Sequence, residues 1–513
     1  MRRVRLALSR EWSRTNFNTA LALFSITGFV VRVAPLLRAG GPLTYPIDYD
    51  EGVYFSASAL LFRGVFPYRD FVFVHPPGLL YALGLTATLS SAVGPAAAFA
   101  TSRIVAAVIG AANIALAGRV AYRWAGPFAG LVAAGLYASY PEVAVVERGP
   151  YLEPVLNLLC LSMALFWLSS QSADRPLRTY AAGALCGAAL AVKIWGGIWL
   201  AAALAAAPPD RRIAAAGRFL AVASLVALVL VAPLALLAPV DFITDALLFH
   251  LWRPPDGDIS RSARLLEIWS SRHLVSSILA VVGLVLGVAK RDQRVGREFR
   301  LFAIAYVLSI AAFLAASAYW SQYNAHLAAS ESVLAGFGAG WLWQRVRTWL
   351  PMTVRTSMAL LSVAALVFPS TRQIILQGRR AHSQGLVEFG DGLRVLVPPG
   401  DCVFAFEPAW GLLGGHLPPH RRERGPVVID SYAAMLLAAT RGGLRYPDAT
   451  AAFRQRGAQD YIRGALSACD VVIVGWRGNW QLTEETKEWL RARFVRRDLS
   501  GIDVWVAVPR SDG

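Results

Sequence analysis

Residues 219–239 read FLAVASLVALVLVAPLALLAP and contain no charged side chain. A helix of this length rises about 1.5 Å per residue and matches the hydrocarbon core of a bilayer, which is about 30 Å thick. Similar apolar runs recur along the first 370 positions, and the 513-residue chain is 56% hydrophobic and only 16% charged. Soluble proteins carry about 25% charged residues. The sequence therefore predicts a polytopic α-helical membrane protein.

The apolar runs predict about eleven spans that begin and end near the following positions: 17–37, 98–118, 126–145, 154–170, 180–194, 196–207, 219–239, 274–289, 300–317, 326–343 and 356–370. The basic start predicts a cytoplasmic N-terminus, because arginine and lysine favour the inner side of a membrane. We expect the first span to be retained, since no small-residue cleavage site follows it. We expect the protein to lie in the inner (plasma) membrane. An odd number of spans then places its C-terminus outside the cytoplasm.

The run 76–94 is long enough to span, but it begins with two prolines and a glycine. If it crossed, Arg119, Arg123 and the basic residues of every later loop would face outward, against the charge bias of membrane proteins. We therefore predict that 76–94 lies along the outer interface as a juxtamembrane segment.

Composition changes near residue 371, and no later run is long enough to span. Short apolar runs alternate there with helix-like segments, which predicts a membrane domain over 1–370 and a small extracytoplasmic α/β domain over 371–513. Cys160 and Cys186 lie in apolar runs, whereas Cys402 and Cys469 lie in the tail. An extracytoplasmic tail would allow the last two to pair, but their spacing leaves this open.

The formal net charge of +17 does not indicate nucleic-acid binding. The arginines cluster in short loops between apolar runs, as expected for loops beside anionic lipid, and no basic stripe with interleaved aromatic residues occurs.

The first predicted outer loop contains YPIDYDEGVYF, residues 45–55, with carboxylates at Asp48, Asp50 and Glu51. The following residues predict a short amphipathic helix, so capping of its N-terminus explains one or two of these acids. Capping of the helix N-terminus does not, however, require two adjacent acids in a loop that lies next to a membrane. We therefore take Asp50 and Glu51 as candidate catalytic residues and Asp48 as a capping or loop residue.

A second predicted outer loop reads VVERGPYLEP, residues 145–154, and supplies Glu147, Arg148 and Glu153. Glu153 lies where the next helix starts, so a cap is the alternative explanation. A second acid on the same side as Asp50 is what acid–base chemistry, or a shared cation, needs.

Further polar residues lie near the predicted outer ends of the spans. Lys193 is one of only three lysines and precedes a Gly-Gly break; snorkelling to headgroups is the alternative to phosphate binding. His75 precedes Pro76-Pro77 and is either an interfacial histidine or a phosphate or metal contact. Tyr323 and His326 belong to a late polar patch and are candidate substrate contacts, although interfacial aromatic residues are often structural.

The motifs YDEGVY, YRDFVFVHPP, ERGPYLEP and AVKIWGG, in this order over about residues 15–340, resemble those of the GT-C superfamily. These integral-membrane glycosyltransferases use polyprenyl-phosphate sugars as donors, and the likeness is nearest to the protein O-mannosyltransferase and lipid A aminoarabinose transferase branch. The resemblance implies a GT-C-like membrane fold with juxtamembrane helices in the first outer loop.

The resemblance also implies residue roles. Asp50, with Glu51 beside it, matches the first-loop acid that would act as general base, and Glu153 takes the place of the second-loop acid, which is often Asp. Lys193 matches a lysine that approaches the donor phosphate, whereas His75 stands where some relatives carry lysine. The tail carries no motif that can be transferred; its placement alone suggests a part in acceptor recognition.

The residues themselves are consistent with this chemistry. Departure of a polyprenyl phosphate needs cations, for which Lys193, Arg148 and His75 are candidates, and the acceptor needs a base such as Asp50. A divalent cation, Mg²⁺ or Mn²⁺, between Asp50 and Glu153 is left open, because some relatives work without one. The acceptor is a protein, a lipid or a glycan. The competing hypothesis is a transporter or flippase of a lipid-linked saccharide, although the sequence lacks the repeated halves typical of transporters.

Overall fold

The structure is a computed structural model. It describes residues 14–37, 43, 48–170, 176–207, 212–256, 260–270, 272–289, 296–351, 354–380, 386–398, 400–419, 425–440 and 443–508.

Helices dominate the chain up to residue 380, which we call the membrane part. Up to residue 170 they are α1 Arg14–Val33, α2 Tyr49–Leu61, α3 Gly78–Ala82, α4 Gly84–Thr88, α5 Ser90–Val93, α6 Pro95–Ala125, α7 Pro127–Ala138, α8 Pro141–Val146 and α9 Leu152–Ser169. From residue 176 they are α10 Pro176–Val192, α11 Gly196–Ala205, α12 Arg212–Ala235, α13 Pro239–Ile243, α14 Phe249–Trp252, α15 Arg261–Ile268, α16 Leu274–Ala289, α17 Gly296–Ala315, α18 Asn324–Val346 and α19 Arg355–Arg380. A π-helical stretch, Thr244–Leu248, joins α13 to α14.

Within the described residues, five helices are both long and apolar enough to cross a membrane. Their apolar stretches are Thr15–Val33, Pro95–Ala125, Leu152–Ser169, Ile213–Ala235 and Gly296–Ala315. The chain is thus a multi-pass membrane protein. The remaining apolar helices are shorter, because glycine and proline interrupt several predicted spans. The predicted number of about eleven spans remains a prediction.

Glycine–proline pairs set the helix boundaries of the membrane part. Gly94 and Gly126 adopt positive φ angles of 84° and 89°, which glycine tolerates better than other residues. Each is followed by a proline at the first position of the next helix, where proline loses no hydrogen bond. The run 76–94, which ends at Gly94, consists of three short helices, α3, α4 and α5. Each is too short to cross a bilayer.

Small residues let the helices of the membrane part approach one another closely. A Cβ atom added to Gly187 in α10 would collide with the carbonyl oxygen of Ala223 in α12. One added to Gly338 in α18 would collide with the carbonyl oxygen of Leu279 in α16. Such close backbone contacts are typical of helix packing in lipid, where van der Waals contact drives association.

The residues after α19 form a four-stranded sheet with helices around it, which we call the C-terminal part. Its elements are α20 Leu386–Leu396, β1 Val403–Ala405, α21 Pro408–Leu413, α22 Ser431–Thr440, α23 Ala449–Phe453, α24 Arg456–Ser467, β2 Val471–Ile473, α25 Gly475–Gln481, α26 Glu484–Arg491, β3 Phe494–Leu499 and β4 Ile502–Ala507. The strand order is β1-β2-β4-β3, with β1 parallel to β2 and the other pairs antiparallel. A disulfide joins Cys402 to Cys469, next to the first strand pair.

The predicted boundary at residue 370 falls inside α19, which continues to Arg380. The division into two domains therefore remains a prediction. Helix α2 was predicted to be amphipathic, but every residue from Glu51 to Leu61 is buried. The reason is that α2 lies between two layers, since Gly52 packs against α21 of the C-terminal part and Ser58 bonds to the Leu80 carbonyl of α3.

Candidate active site

Asp50 lies in the first turn of α2 and is half-buried. Its Oδ2 accepts a 2.6 Å hydrogen bond from Nε2 of Gln322, in the turn that precedes α18. Burial, and then the neighbouring charge of Asp48, raise the pKa of Asp50 to about 7, while Arg477 opposes the rise. A carboxyl group that titrates near neutrality is suited to accept a proton during a reaction.

The other two acids of this stretch have structural partners. Asp48 is the N-cap of α2 and accepts a 2.6 Å hydrogen bond from the Tyr49 amide, while Glu51 Oε1 accepts from the Asp48 amide at 3.2 Å. This is a capping box. Arg103 of α6 also donates to both Glu51 oxygens, with 3.0 Å between Nε and Oε2. The structure thus places Glu51 in a buried ion pair, and its catalytic role remains a prediction.

Glu153 and Lys193 come together, as their predicted positions on one side of the membrane suggest. Oε1 of Glu153 lies 2.7 Å from Nζ of Lys193, and both side chains are buried. The ammonium also lies 3.6 Å from the ring centre of Trp195 and 4.9 Å from that of Tyr323. The carboxylate and the two rings hold the cation in place and compensate its removal from water.

His75 is brought towards Lys193 by a close backbone contact. A Cβ atom on Gly78 would lie 2.6 Å from the Ala191 carbonyl oxygen, so the turn after His75 packs directly on the end of α10. Burial, together with the positive charges around it, lowers the pKa of His75 well below its usual range. Its imidazole is therefore neutral at neutral pH and offers a hydrogen bond rather than a charge. Nε2 already lies 3.2 Å from the Tyr54 hydroxyl.

Arg253 is a cation that the sequence reasoning missed. It follows α14, and although burial opposes ionisation, interactions with the Tyr323 side chain and the Asp256 carboxylate raise the pKa of its guanidinium. Tyr323 therefore touches both Lys193 and Arg253. In the sequence, Arg253 precedes Pro254-Pro255 in a loop that is predicted to face outward. No local feature distinguishes it as a binding residue from the other arginines in loops. Two cations close to one tyrosine side chain could bind a phosphate together.

His326 and Arg148 have partners within the helix bundle, and the His326 ring stacks on Trp195, which also contacts Lys193. Trp199 Nε1 donates to Nε2 of His326 at 3.2 Å, so Nδ1 carries the proton and donates to Asn157 at 2.8 Å. Both ring nitrogens are thereby occupied, which favours a structural role. Arg148 is buried and donates from Nη2 to the Val31 carbonyl at 3.3 Å, at the end of α1. Binding of the donor phosphate by Arg148 and of substrate by His326 remain predictions.

Glu147, beside Arg148, belongs to a buried polar network. Its Oε2 pairs with Arg32 at 2.7 Å, and its Oε1 accepts hydrogen bonds of 2.9 Å from both Asn113 and Tyr137. Its carboxylate is thereby fully partnered, so this network fixes the second loop against α1, α6 and α7.

The C-terminal part contacts α2, the helix that carries Asp50. The sequence did not predict which of its residues make these contacts. The Tyr49 hydroxyl donates a 2.7 Å hydrogen bond to Asp430, and the Arg477 guanidinium lies 3.8 Å from the centre of the Tyr49 ring. A Cβ atom on Gly52 would lie 2.5 Å from the Ala409 amide nitrogen. Residues 357 to 428 positions further along the chain therefore contact the helix that carries Asp50.

The residues do not fit a divalent cation as they stand. Glu153 is paired with Lys193, and Asp50 bonds to Gln322. Among the described residues there is also no group of three or more histidine, cysteine or acidic side chains that could hold a metal ion. A Mg²⁺ or Mn²⁺ site needs several oxygen ligands, which Asp50 and the paired Glu153 do not supply in this arrangement.

The architecture matches solved membrane enzymes. ArnT from Cupriavidus metallidurans bound to undecaprenyl phosphate aligns with a TM-score of 0.62 and 15% identity, over 96% of this chain and 98% of that one. The fold is that of the GT-C glycosyltransferases. Archaeal AglB from Archaeoglobus fulgidus, in complex with an inhibitory peptide and a dolichol-phosphate, shares the GT-C fold at a TM-score of 0.56 and 10% identity, over 97% of this chain and 75% of that one. No family model and no curated protein matches the sequence.

Proposed function

We propose that the protein transfers a sugar from a polyprenyl-phosphate donor to an acceptor on the extracytoplasmic face of the membrane. The observation that carries this proposal is the convergence of an acid and two cations on two consecutive residues. Gln322 bonds to Asp50, and Tyr323 lies near Lys193 and Arg253. The GT-C fold of enzymes solved with undecaprenyl phosphate or dolichol-phosphate supports it.

The cations form the donor side of the pocket. Lys193 donates to Glu153 Oε1 and keeps further N–H groups for a phosphate oxygen. Arg253 adds a second charge across Tyr323, and neutral His75 adds a hydrogen bond. As the bond from the anomeric carbon to the phosphate oxygen breaks, negative charge grows on the phosphate. Fixed cations in a site shielded from water stabilise that charge.

Asp50 forms the acceptor side. The acceptor hydroxyl gives its proton to the Asp50 carboxylate, its oxygen bonds to the anomeric carbon, and the polyprenyl phosphate leaves as an anion. This direct displacement inverts the anomeric centre and needs no covalent intermediate. Gln322 holds Oδ2 of Asp50, so Oδ1 is the oxygen that takes the proton. Arg477 and Asp430 contact Tyr49, next to Asp50, which supports a part for the C-terminal part in acceptor binding.

A glycosyltransferase can act in detergent micelles, whereas transport can be observed only across a membrane. Activity in detergent therefore distinguishes the two functions. We expect the purified protein in detergent to release free polyprenyl phosphate from a radiolabelled polyprenyl-phosphate sugar when solubilised membranes supply the acceptor. A transporter only moves the donor between compartments, so it gives no release in micelles. Absence of release, combined with movement of the donor across sealed vesicles containing the protein, would support the flippase instead.

The proposed orientation has a cytoplasmic N-terminus and an extracytoplasmic C-terminal part. The Cys402–Cys469 disulfide, with 4.6 Å between the Cα atoms, supports this orientation. Disulfides persist in oxidising compartments and are rare in the cytosol.

The rate should depend on the ionisation of Asp50. Its pKa is raised to about 7 by burial and by the charge of Asp48. A general base works only when deprotonated, so kcat/KM should increase as the pH rises through about 7 and level off above it. In Asp48→Asn a like charge is removed, and the midpoint should move to lower pH. A profile that falls as the pH rises from 6 to 8 would contradict the role of Asp50.

A further inference from the structure

Three contacts hold His75 in one orientation. The Tyr68 hydroxyl donates a 2.6 Å hydrogen bond to the backbone carbonyl of His75. The His250 ring stacks on the His75 imidazole, with 5.4 Å between the ring centres, and the Tyr54 hydroxyl lies 3.2 Å from Nε2. The side chain of His75 is buried. The protein therefore fixes the direction of both ring nitrogens.

The second ring nitrogen of His75 lacks a protein partner. Nδ1 is buried and makes no hydrogen bond to any residue that the structure describes. Buried polar atoms without a partner are costly and rare. The charges of Lys193 and Arg253 both act on the imidazole, so the ring lies close to the two cations of the donor side. A polar atom of this kind, beside two cations, points to a bound group that is anionic.

The Tyr54 hydroxyl determines whether Nδ1 donates or accepts. Tyr54 is buried, and burial raises the pKa of its hydroxyl, which therefore stays protonated. Within the described part of the chain, Nε2 of His75 is the one hydrogen-bond partner of this hydroxyl. If the hydroxyl donates to Nε2, the single proton of the neutral imidazole lies on Nδ1.

The opposite arrangement is less favourable. If Nε2 donated to the Tyr54 oxygen, the hydroxyl proton would be buried without an acceptor, and the lone pair of Nδ1 would be buried without a donor. Two groups would then be unsatisfied instead of one. The tautomer with the proton on Nδ1 is therefore favoured, because each unsatisfied buried group destabilises the folded state.

We propose that Tyr54 is a positioning residue, which holds His75 in the tautomer whose Nδ1–H donates to an oxygen of the donor phosphate. This inference rests on the proposed function. Lys193 and Arg253 can only donate, whereas a neutral histidine presents either a donor or an acceptor at Nδ1. An acceptor there would repel a phosphate oxygen. The Tyr54 hydroxyl thus makes His75 a third donor at the phosphate.

The tautomer is tested by nitrogen NMR of the whole protein in lipid nanodiscs, with isotope-labelled histidine. The chain contains seven histidines, and the signal that is lost in His75→Asn identifies His75. In the wild type we expect its proton on Nδ1. In Tyr54→Phe, which removes only the hydroxyl, the proton should move to Nε2 or be shared between the two nitrogens.

Tyr68→Phe is the matched control for this measurement. It also removes a hydroxyl that bonds to His75, but the bond goes to the backbone carbonyl and not to the ring. The proton should therefore stay on Nδ1. A wild-type proton on Nε2, or the same tautomer in the wild type and in Tyr54→Phe, would overturn the proposal.

The effect on the donor side is measured as binding of radiolabelled polyprenyl phosphate to the purified protein, without sugar transfer. Tyr54→Phe should weaken binding about tenfold, as expected for loss of one hydrogen bond to a charged group. Two variants separate the ring nitrogens. The side-chain amide of Asn reaches the position of Nδ1, whereas that of Gln, one methylene longer, reaches the position of Nε2. His75→Asn should therefore bind nearly as well as the wild type, and His75→Gln as weakly as Tyr54→Phe.

The combination of Tyr54→Phe with His75→Asn separates positioning from packing. An amide donates without any choice of tautomer, so the added Tyr54→Phe should not weaken binding further. An equal loss from Tyr54→Phe in both backgrounds would overturn the proposal. If the wild type binds polyprenyl phosphate and Tyr54→Phe binds it equally well, this inference alone fails. If the wild type does not bind it, the donor side of the proposed function fails as well.

Discussion

Replacing Asp50 with Asn should reduce sugar transfer by about two to four orders of magnitude, the range typical for loss of a general base. The amide has the same shape and its oxygen can still accept the hydrogen bond from Gln322, which measures 2.6 Å in the wild type. It cannot take a proton near neutral pH. The measurement is release of polyprenyl phosphate by purified variant and wild type at equal protein concentration.

Asp48→Asn is the matched control, because the same chemical change is made two residues away. Asn caps a helix as well as Asp does, so α2 should stay intact. This variant should keep most of the activity. Full transfer by Asp50→Asn, or equal loss in both variants, would exclude Asp50 as the base.

Replacing Lys193 removes the main cation of the donor side. Loss of one such group from a preorganised site typically costs about two to three orders of magnitude in rate. The single variant Lys193→Met, however, also leaves Glu153 buried and unpaired, which costs about 3–5 kcal/mol of stability. The informative variant is therefore Lys193→Met combined with Glu153→Gln, which removes both charges.

We expect the double variant to unfold at a temperature closer to that of the wild type than Lys193→Met does, yet to lose the same transfer activity. Inhibition by free polyprenyl phosphate should weaken in parallel. Lys487→Met, on the C-terminal part, removes a lysine paired with Glu484 and should leave both properties unchanged. A double variant with near wild-type kcat/KM would show that Lys193 serves packing only.

The sequence carries enough information for the membrane class, and it supplies candidate site residues whose roles remain predictions. Asp50, Glu153 and Lys193 were chosen as candidates because charged side chains are costly beside a bilayer. The count of predicted spans also places all three near the outer face of the membrane. The structure brings Glu153 and Lys193 into contact. Two consecutive residues, Gln322 and Tyr323, contact Asp50 and Lys193 respectively.

The division of labour between Asp50 and Glu51 could not be derived from sequence. It depends on Arg103, which reaches Glu51 from α6, more than fifty residues away. Arg103 lies inside the predicted span 98–118, but no local pattern indicates which acid it pairs with. An ion pair between distant residues becomes visible only when the helices are packed.

The contributions of the C-terminal part escaped prediction for a similar reason. Asp430 and Arg477 lie in segments with ordinary loop and helix composition, and they reach the pocket through Tyr49. Arg253 was missed because a loop arginine has no signature before its partner Tyr323 is placed beside it. Hydropathy predicts which segments cross a membrane, but not which polar side chains meet at one point.

The contact between Gly52 and Ala409 bears on how such enzymes can be recombined. With no room for a side chain at residue 52, the surface of α21 that meets it must be matched in shape by any replacement. Fusing the membrane part to the tail of a relative would bring an unmatched surface onto the helix that carries Asp50. We therefore expect that the membrane part and the C-terminal part must be exchanged together. A fusion joined near residue 370 would remove the α21 surface that packs against the helix of Asp50.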